Sequence, residues 1–171
     1  RQLYKKQALN LSNWKEKRYI LLYLLSNECI LDIAQLESWA DCKHLEIAYV
    51  SGSSSGRRIR AHKHFYQVYP SIEQWLFLVD NADYVITNSF HGSIFAAIFG
   101  KKFLTIPLVG RFEPMNTRLS TLFDQLGIAP RFLAGNDFSA IENSYEVAAR
   151  EGNGSILTGL DRVANTAFPK T

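Results

Sequence analysis

The chain has 171 residues, 47% of them apolar and 20% charged, a composition that builds a packed domain and excludes a disordered or low-complexity polymer. Its net charge of +3 is too small to argue for nucleic acid and suits a small anionic ligand equally well. The longest apolar run, Tyr19 to Leu25, is seven residues, far short of the roughly 20 that a membrane-spanning helix needs.

At about 150 residues per domain, this length holds one domain. The first residue is Arg1 and the one methionine is Met115, so the chain is expected to be a piece of a longer protein. Arg1-Gln2-Leu3 has no apolar signal core behind it. Cys29 and Cys42 stand far apart with no CxxC spacing. That disfavours a disulfide framework or a zinc site, and a reducing, cytoplasmic setting is the default.

In chain order, Arg18 to Leu25 is apolar at nearly every position, as a strand covered on both faces reads. Ile30, Ile33, Leu36 and Ala40 follow at helical spacing, and Leu45 to Val50 is a second strand. Ser51 to Arg60 lacks periodicity and is expected to be a mobile surface loop. Its serines, glycines and Arg57, Arg58 and Arg60 suit either solvent or a phosphate nest. Beyond it, His62-x-His64 has metal-ligand spacing without an evident third ligand. Ser71 and Gln74 form a capping box at the head of a helix whose buried stripe is Ile72, Trp75, Leu76 and Val79.

Tyr84 to Thr87 is a third strand, and Asn88 to Ser93 turns it into Ile94 to Phe99, apolar all round and expected to be a buried central helix. Asp80 and Asp83 flank the turn before that strand, where they cap or solvate it. Lys102 to Ile106 is a fourth strand. Leu119, Leu122, Phe123 and Leu126 then mark an amphipathic helix with Gly127 at its C-cap. From Asp137 to Thr171 the helical pattern is weak, a C-terminal extension.

Strand-helix alternation of this kind predicts an α/β, Rossmann-like three-layer sandwich around a mostly parallel sheet. Ligands of such sheets bind beyond the carboxyl ends of the strands. That rule selects the loops Ser51–Arg60, Asn88–Ser93 and Pro107–Arg111.

Asn88-Ser-Phe-His-Gly-Ser93 is the most informative of the three. The first amides of a helix have no internal acceptor and, with the helix dipole, attract phosphate or carboxylate. Ser89 and Ser93 carry hydroxyls, Gly92 leaves room for close approach, and His91 is a candidate general acid. The same letters also fit a serine capping a buried helix with His91 meeting a core hydrogen bond. No Walker or GxGxxG pattern is present.

Pro70-Ser-Ile-Glu-Gln-Trp75, Asn81-Ala-Asp-Tyr-Val-Ile-Thr-Asn-Ser-Phe-His-Gly-Ser93 and Phe99-Gly-Lys-Lys-Phe103 resemble the polysaccharide pyruvyl transferase family. Arg118-Leu119 and Leu122 to Gly127 are similar to a later element of it. The resemblance is good from Pro70 to Phe103 and loose from Arg18 to Arg131. It implies a fold like the C-terminal half of the two-domain GT-B glycosyltransferases, with an N-terminal domain elsewhere in the protein.

It also implies transfer of a pyruvyl group from phosphoenolpyruvate to hydroxyls of a cell-surface glycan, without a cofactor or metal. His91 would be the general acid. Asn88, Ser89, Phe90, Gly92, Ser93, Arg111 and Arg118 would contact substrate. Some members carry an arginine two positions before the histidine, where this chain has Ser89. Two other readings stay open: a GT-B half that uses a nucleotide-sugar, and a non-catalytic module that binds an anion or glycan.

Overall fold

The computed structural model describes residues 12–26, 29–52 and 64–142. A short helix α1 (Ser12–Lys15) leads into β1 (Tyr19–Leu24), α2 (Ile33–Cys42), β2 (Glu46–Ser51) and β3 (Phe65–Gln67). There follow α3 (Ile72–Asn81), β4 (Tyr84–Thr87), α4 (Phe90–Ile98) and β5 (Lys102–Thr105). A 3-10 segment, Gly110–Met115, runs directly into α5 (Asn116–Leu126).

The five strands form one sheet in the order β3-β2-β1-β4-β5, and every pairing is parallel. In the central strand, Ile20 is paired with Ile47 on one side and Tyr84 on the other. That position explains its composition, because a strand flanked by strands and covered on both faces has no side that profits from polar residues.

Alternate residues of β1 feed two cores. Tyr19 and Leu21 point to the layer of α3, α4 and α5, where Leu78, Ala97, Phe103, Leu122 and Phe123 are buried. Ile20, Leu22 and Leu24 point to the layer of α2 and the segment carrying Phe138 and Ile141. The domain is the expected three-layer α/β sandwich.

Local chemistry sets the ends of the elements. The Ser71 hydroxyl accepts from the Gln74 amide while the Gln74 side chain accepts from the Ser71 amide, the capping box read from sequence. Gly127 closes α5 at φ 65, a left-handed conformation that costs glycine nothing. Asp83 accepts from the Tyr19 amide at 3.0 Å and from the Arg18 guanidinium at 3.1 Å. It thus ties the entry of β4 to that of β1, a more specific role than capping or solvating the turn. The Tyr19 hydroxyl donates to the Leu78 carbonyl at 2.7 Å, locking β1 to α3.

Several expectations change. Of the stripe expected to be buried on α3, Ile72 is exposed, Trp75 and Leu76 are half-buried, and Phe77, Leu78 and Val79 are the buried residues. The α4 segment is not buried all round: Gly92, Ser93, Ala96 and Ala97 are buried, while His91 and Ile98 are exposed. The helix also begins at Phe90, before the apolar run, because Ser89 caps it. β3, its three residues set beside β2, was not expected. Residues 53 to 63, with Arg57, Arg58, Arg60 and His62, lie outside the described residues, as does the chain from residue 143 onward.

Candidate functional site

The strand order reverses direction between β1 and β4, so the connections leaving these strands diverge and open a crevice at their carboxyl ends. Asn88, the first residue after β4, spans the crevice floor. Its Oδ1 accepts from the Leu25 amide at 2.8 Å and its Nδ2 donates to the Ser26 carbonyl at 2.6 Å. One buried side-chain amide therefore satisfies both backbone groups where β1 ends. Beneath it, the Thr87 hydroxyl donates to the Tyr23 carbonyl at 2.7 Å and accepts from the Ser89 amide at 3.0 Å.

Of the residues assigned to substrate, Ser89, Gly92, Ser93 and Arg111 do not line the cavity at this end of the sheet. The Ser89 hydroxyl faces inward and accepts from the Gly92 amide at 3.2 Å. The Ser93 hydroxyl is fully buried, donating to the Ser89 carbonyl at 3.1 Å and meeting the Thr105 hydroxyl at 2.9 Å. The space beside Gly92 is filled by protein. A Cβ there would lie 2.6 Å from Thr87 Oγ1 and 3.1 Å from the Tyr23 ring. Ser89, Gly92 and Ser93 hold α4 on the sheet. Burial pushes the Tyr23 hydroxyl above the ordinary tyrosine range, and its hydrogen bond to Ser89 offsets part of that.

The cavity has a volume of about 300 Å³. Asn88, Phe90 and His91 come from the β4–α4 turn, Leu25 and Ser26 from the end of β1, and Leu108, Phe112, Met115, Arg118 and Leu119 from the β5–α5 connection. Apolar side chains make most of the wall, so a charge bound there is partly desolvated and its pairing with fixed protein charges strengthens. His91 is exposed at the mouth. The Ser89 amide is taken by Thr87 and the Gly92 amide by Ser89, which leaves the Phe90 and His91 amides as the open donors of the first turn. The Arg118 guanidinium lies 4.7 Å over the Phe90 ring. Arg111 instead lies 4.6 Å over the Phe112 ring and is not part of the lining.

The sequence model of the polysaccharide pyruvyl transferase family matches residues 4–108, which includes the whole turn bearing His91. The chain belongs to the polysaccharide pyruvyl transferase family. No curated protein matches the sequence. Among solved structures, UDP-GlcNAc 2-epimerase from Methanocaldococcus jannaschii, in complex with UDP-GlcNAc and UDP, superposes with a TM-score of 0.59 at 15% identity. That match covers 85% of this chain and 42% of the epimerase. The S. aureus MnaA–UDP co-structure gives a TM-score of 0.50 at 13% identity, covering 84% of this chain and 40% of the other. This pyruvyl transferase family chain thus spans less than half the length of these structures and shares with them the Rossmann-like, GT-B-like α/β fold.

Away from the crevice, the family member carries an ion cluster around Glu142. This carboxylate accepts from Lys43 at 3.2 Å and from Lys102 and the Tyr84 hydroxyl. The Lys102 and Tyr84 hydrogen bonds pull Glu142 down to about 2, and burial with the Glu142 contact pushes Tyr84 up to about 12. Tyr84 and Lys102 begin their strands, at the end of the sheet opposite the cavity.

His64 stands 3.7 Å from Asp41, and among the described residues no group of three or more His, Cys, Asp or Glu is placed to hold a metal. Among the same residues, no helix is long and apolar enough to cross a membrane. Of the wall, the sequence had singled out Asn88, Phe90, His91 and Arg118. Leu25, Ser26, Leu108, Phe112, Met115 and Leu119 carried no local sign of it, because the cavity assembles from three separate connections.

Proposed function

We propose that this chain is the donor-binding half of a polysaccharide pyruvyl transferase, which moves a pyruvyl group from phosphoenolpyruvate to two hydroxyls of a glycan as a cyclic ketal. The observation that carries the reading is His91 at the mouth of the cavity, beside two open amides and the Arg118 guanidinium, within a turn matched by the family model. The donor is a small anion bearing a carboxylate and a phosphate. Open amides and a guanidinium are the groups that hold such anions in a partly apolar cavity.

His91 delivers a proton to the methylene carbon of phosphoenolpyruvate, turning it into a methyl and leaving carbon 2 electron-poor. A sugar hydroxyl attacks carbon 2 and gives up its proton, which restores the imidazolium. The C–O bond to phosphate breaks, and the leaving group takes both electrons. A second sugar hydroxyl closes the ring, and its proton leaves with phosphate. The apolar wall keeps water from intercepting carbon 2.

The acceptor is the glycan of a cell surface or exopolysaccharide, and a second α/β half of the protein completes its site. The reading places the reaction in the cytoplasm, without a cofactor. Arg118 serves as the donor's cation. Asn88, Ser89, Gly92 and Ser93 support the turn, and Arg111 stands outside the cavity lining.

A nucleotide-sugar reading draws on the fold neighbours solved with UDP. A ribose calls for a carboxylate to take its hydroxyls, and among the described residues none lines the cavity. To test the two, the full-length protein is incubated with phosphoenolpyruvate and a glycan acceptor. Phosphate release with a ketal methyl signal in NMR is the expected result. The His91→Ala protein is expected to keep its fold and lose about 100-fold to 10,000-fold in turnover. Release of nucleoside diphosphate from a sugar nucleotide, or full turnover by the variant, would overturn the assignment.

A further inference from the structure

We infer that Phe90 and Asn116 are positioning residues that together fix the Arg118 guanidinium as the anion-binding cation of the cavity, so that Arg118 sets donor affinity while His91 sets turnover. The inference rests on the functional reading above and adds a division of labour to it.

Arg111 and Arg118 both lie over an aromatic ring, but of the two only Arg118 lines the cavity, and four other cations of the described surface are paired with carboxylates. Lys17 pairs with Glu46, Arg18 with Asp83, and Lys43 and Lys102 with Glu142. Among the described residues no carboxylate pairs with Arg118; its guanidinium rests on the Phe90 ring and borders the cavity. An aromatic face attracts a cation without neutralising it. With one face of the guanidinium on the ring, its N–H edge stays open for in-plane, bidentate bonding to a carboxylate or phosphate.

The main chain beneath Arg118 is fixed separately. Asn116, two residues earlier at the start of α5, donates from Nδ2 to the Leu108 carbonyl and accepts at Oδ1 from the Leu108 amide, both at 2.9 Å. A side-chain amide bonded to both backbone groups of one residue leaves little freedom in either partner. Leu108 follows β5, Phe90 follows β4, and these strands are neighbours in the sheet. The guanidinium is thus held from two adjacent strand exits. An unanchored arginine would have to be ordered anew by each ligand.

The test uses full-length protein and two readouts: steady-state kinetics with phosphoenolpyruvate, and titration calorimetry with inorganic phosphate on variants whose melting curves show them folded. Arg118→Ala is expected to raise KM and the phosphate Kd about 30-fold while kcat changes less than about threefold. Phe90→Leu, which keeps bulk but loses the aromatic face, raises both constants about threefold. Phe90→Tyr restores them, and Asn116→Ala behaves like Phe90→Leu. Combined with Arg118→Ala, Phe90→Leu adds nothing further, because both act through one guanidinium.

Additive effects in the double variant, or a fall in kcat with KM and Kd unmoved, would overturn the inference. If phosphate binds in this Arg118-dependent way but phosphoenolpyruvate is not turned over, the functional reading fails and the positioning roles stand. If neither ligand binds, both fall.

Discussion

Gly92→Ala separates two roles that glycine can play at the head of α4. If it clears space for a ligand, a methyl weakens ligand binding and leaves the fold alone. In the structure the methyl meets protein instead. The new Cβ would sit 2.6 Å from Thr87 Oγ1, 3.1 Å from Thr87 Cγ2 and 3.1 Å from Tyr23 Cδ1. The threonine cannot rotate away cheaply, because its hydroxyl bonds the Tyr23 carbonyl and the Ser89 amide, and Thr87 is fully buried.

Overpacking of this kind costs about 1–3 kcal/mol. Weakening the two buried hydrogen bonds adds about 1–3 kcal/mol, and alanine's better helix propensity returns at most about 1 kcal/mol. The net expectation is a loss of about 1–6 kcal/mol, large against the 5–15 kcal/mol typical of a domain. Urea unfolding of wild type and variant, followed by far-UV circular dichroism, measures it. A loss below about 1 kcal/mol with an unchanged m-value would refute the packing argument and return Gly92 to the ligand.

Asn88→Ala is expected to cost about 1–2 kcal/mol in the same assay, since it removes the acceptor of the Leu25 amide and the closer of two donors to the Ser26 carbonyl, both part-buried bonds; an effect under about 0.5 kcal/mol would show that neither bond matters. Ser89→Ala removes the cap on the Gly92 amide and should cost about 1 kcal/mol, with phosphate affinity unchanged because the hydroxyl points away from the cavity. Glu142→Gln tests the ion cluster through pH. The folded carboxyl titrates at about 2 against an ordinary 4.5, so between these values the unfolded chain binds the proton and the folded chain does not. Its stabilisation is therefore complete above pH 4.5 and is lost as pH falls towards 2. The side chains of Lys43 and Lys102 are 40% and 42% exposed, so solvent screening reduces the contribution to about 1–2 kcal/mol. The stability gap between wild type and variant should close on acidification; a gap that is constant from pH 7 to pH 2.5 would contradict this assignment.

Features written by neighbouring residues were legible in the sequence. The Ser71–Gln74 box, the Gly127 stop, the span of β4 and the all-apolar β1 each follow from spacing within one segment. The strand β3 was not legible, because Phe65-Tyr66-Gln67 is short and acquires its state from pairing with Ile47, Ala48 and Tyr49. Asn116 escaped for a similar reason. Its importance lies in bonds to Leu108, eight residues away, across a 3-10 segment that has no periodicity of its own.

The hydroxyls of Ser89 and Ser93 turn inward, which the sequence could not decide because a serine at a helix start offers the same group to a ligand or to the protein. For Ser93 the protein partner is Thr105, on a strand that the local pattern does not bring near. His91 and Arg118 do line the cavity, since a charged or titratable residue near a strand exit has few satisfactory places other than solvent or a cleft.

The inward turn of those hydroxyls is what makes the first turn of α4 usable as a site. A capped helix has four amides to satisfy near its start, and here Thr87 and Ser89 satisfy two from below. Had Ser89 faced the cavity, the Gly92 amide would have lost its partner and the turn would fray. As it is, the polar groups of Thr87, Ser93 and Thr105 form a dry, fully bonded base. The groups left over, two amides and one imidazole, are those on the outer side. Holding reactive groups in place requires supports whose own rotamers are locked. Arg118, the cation on this side, arrives from a different helix, with Asn116 tying the start of that helix to Leu108, and it meets the turn that carries His91 at the Phe90 ring.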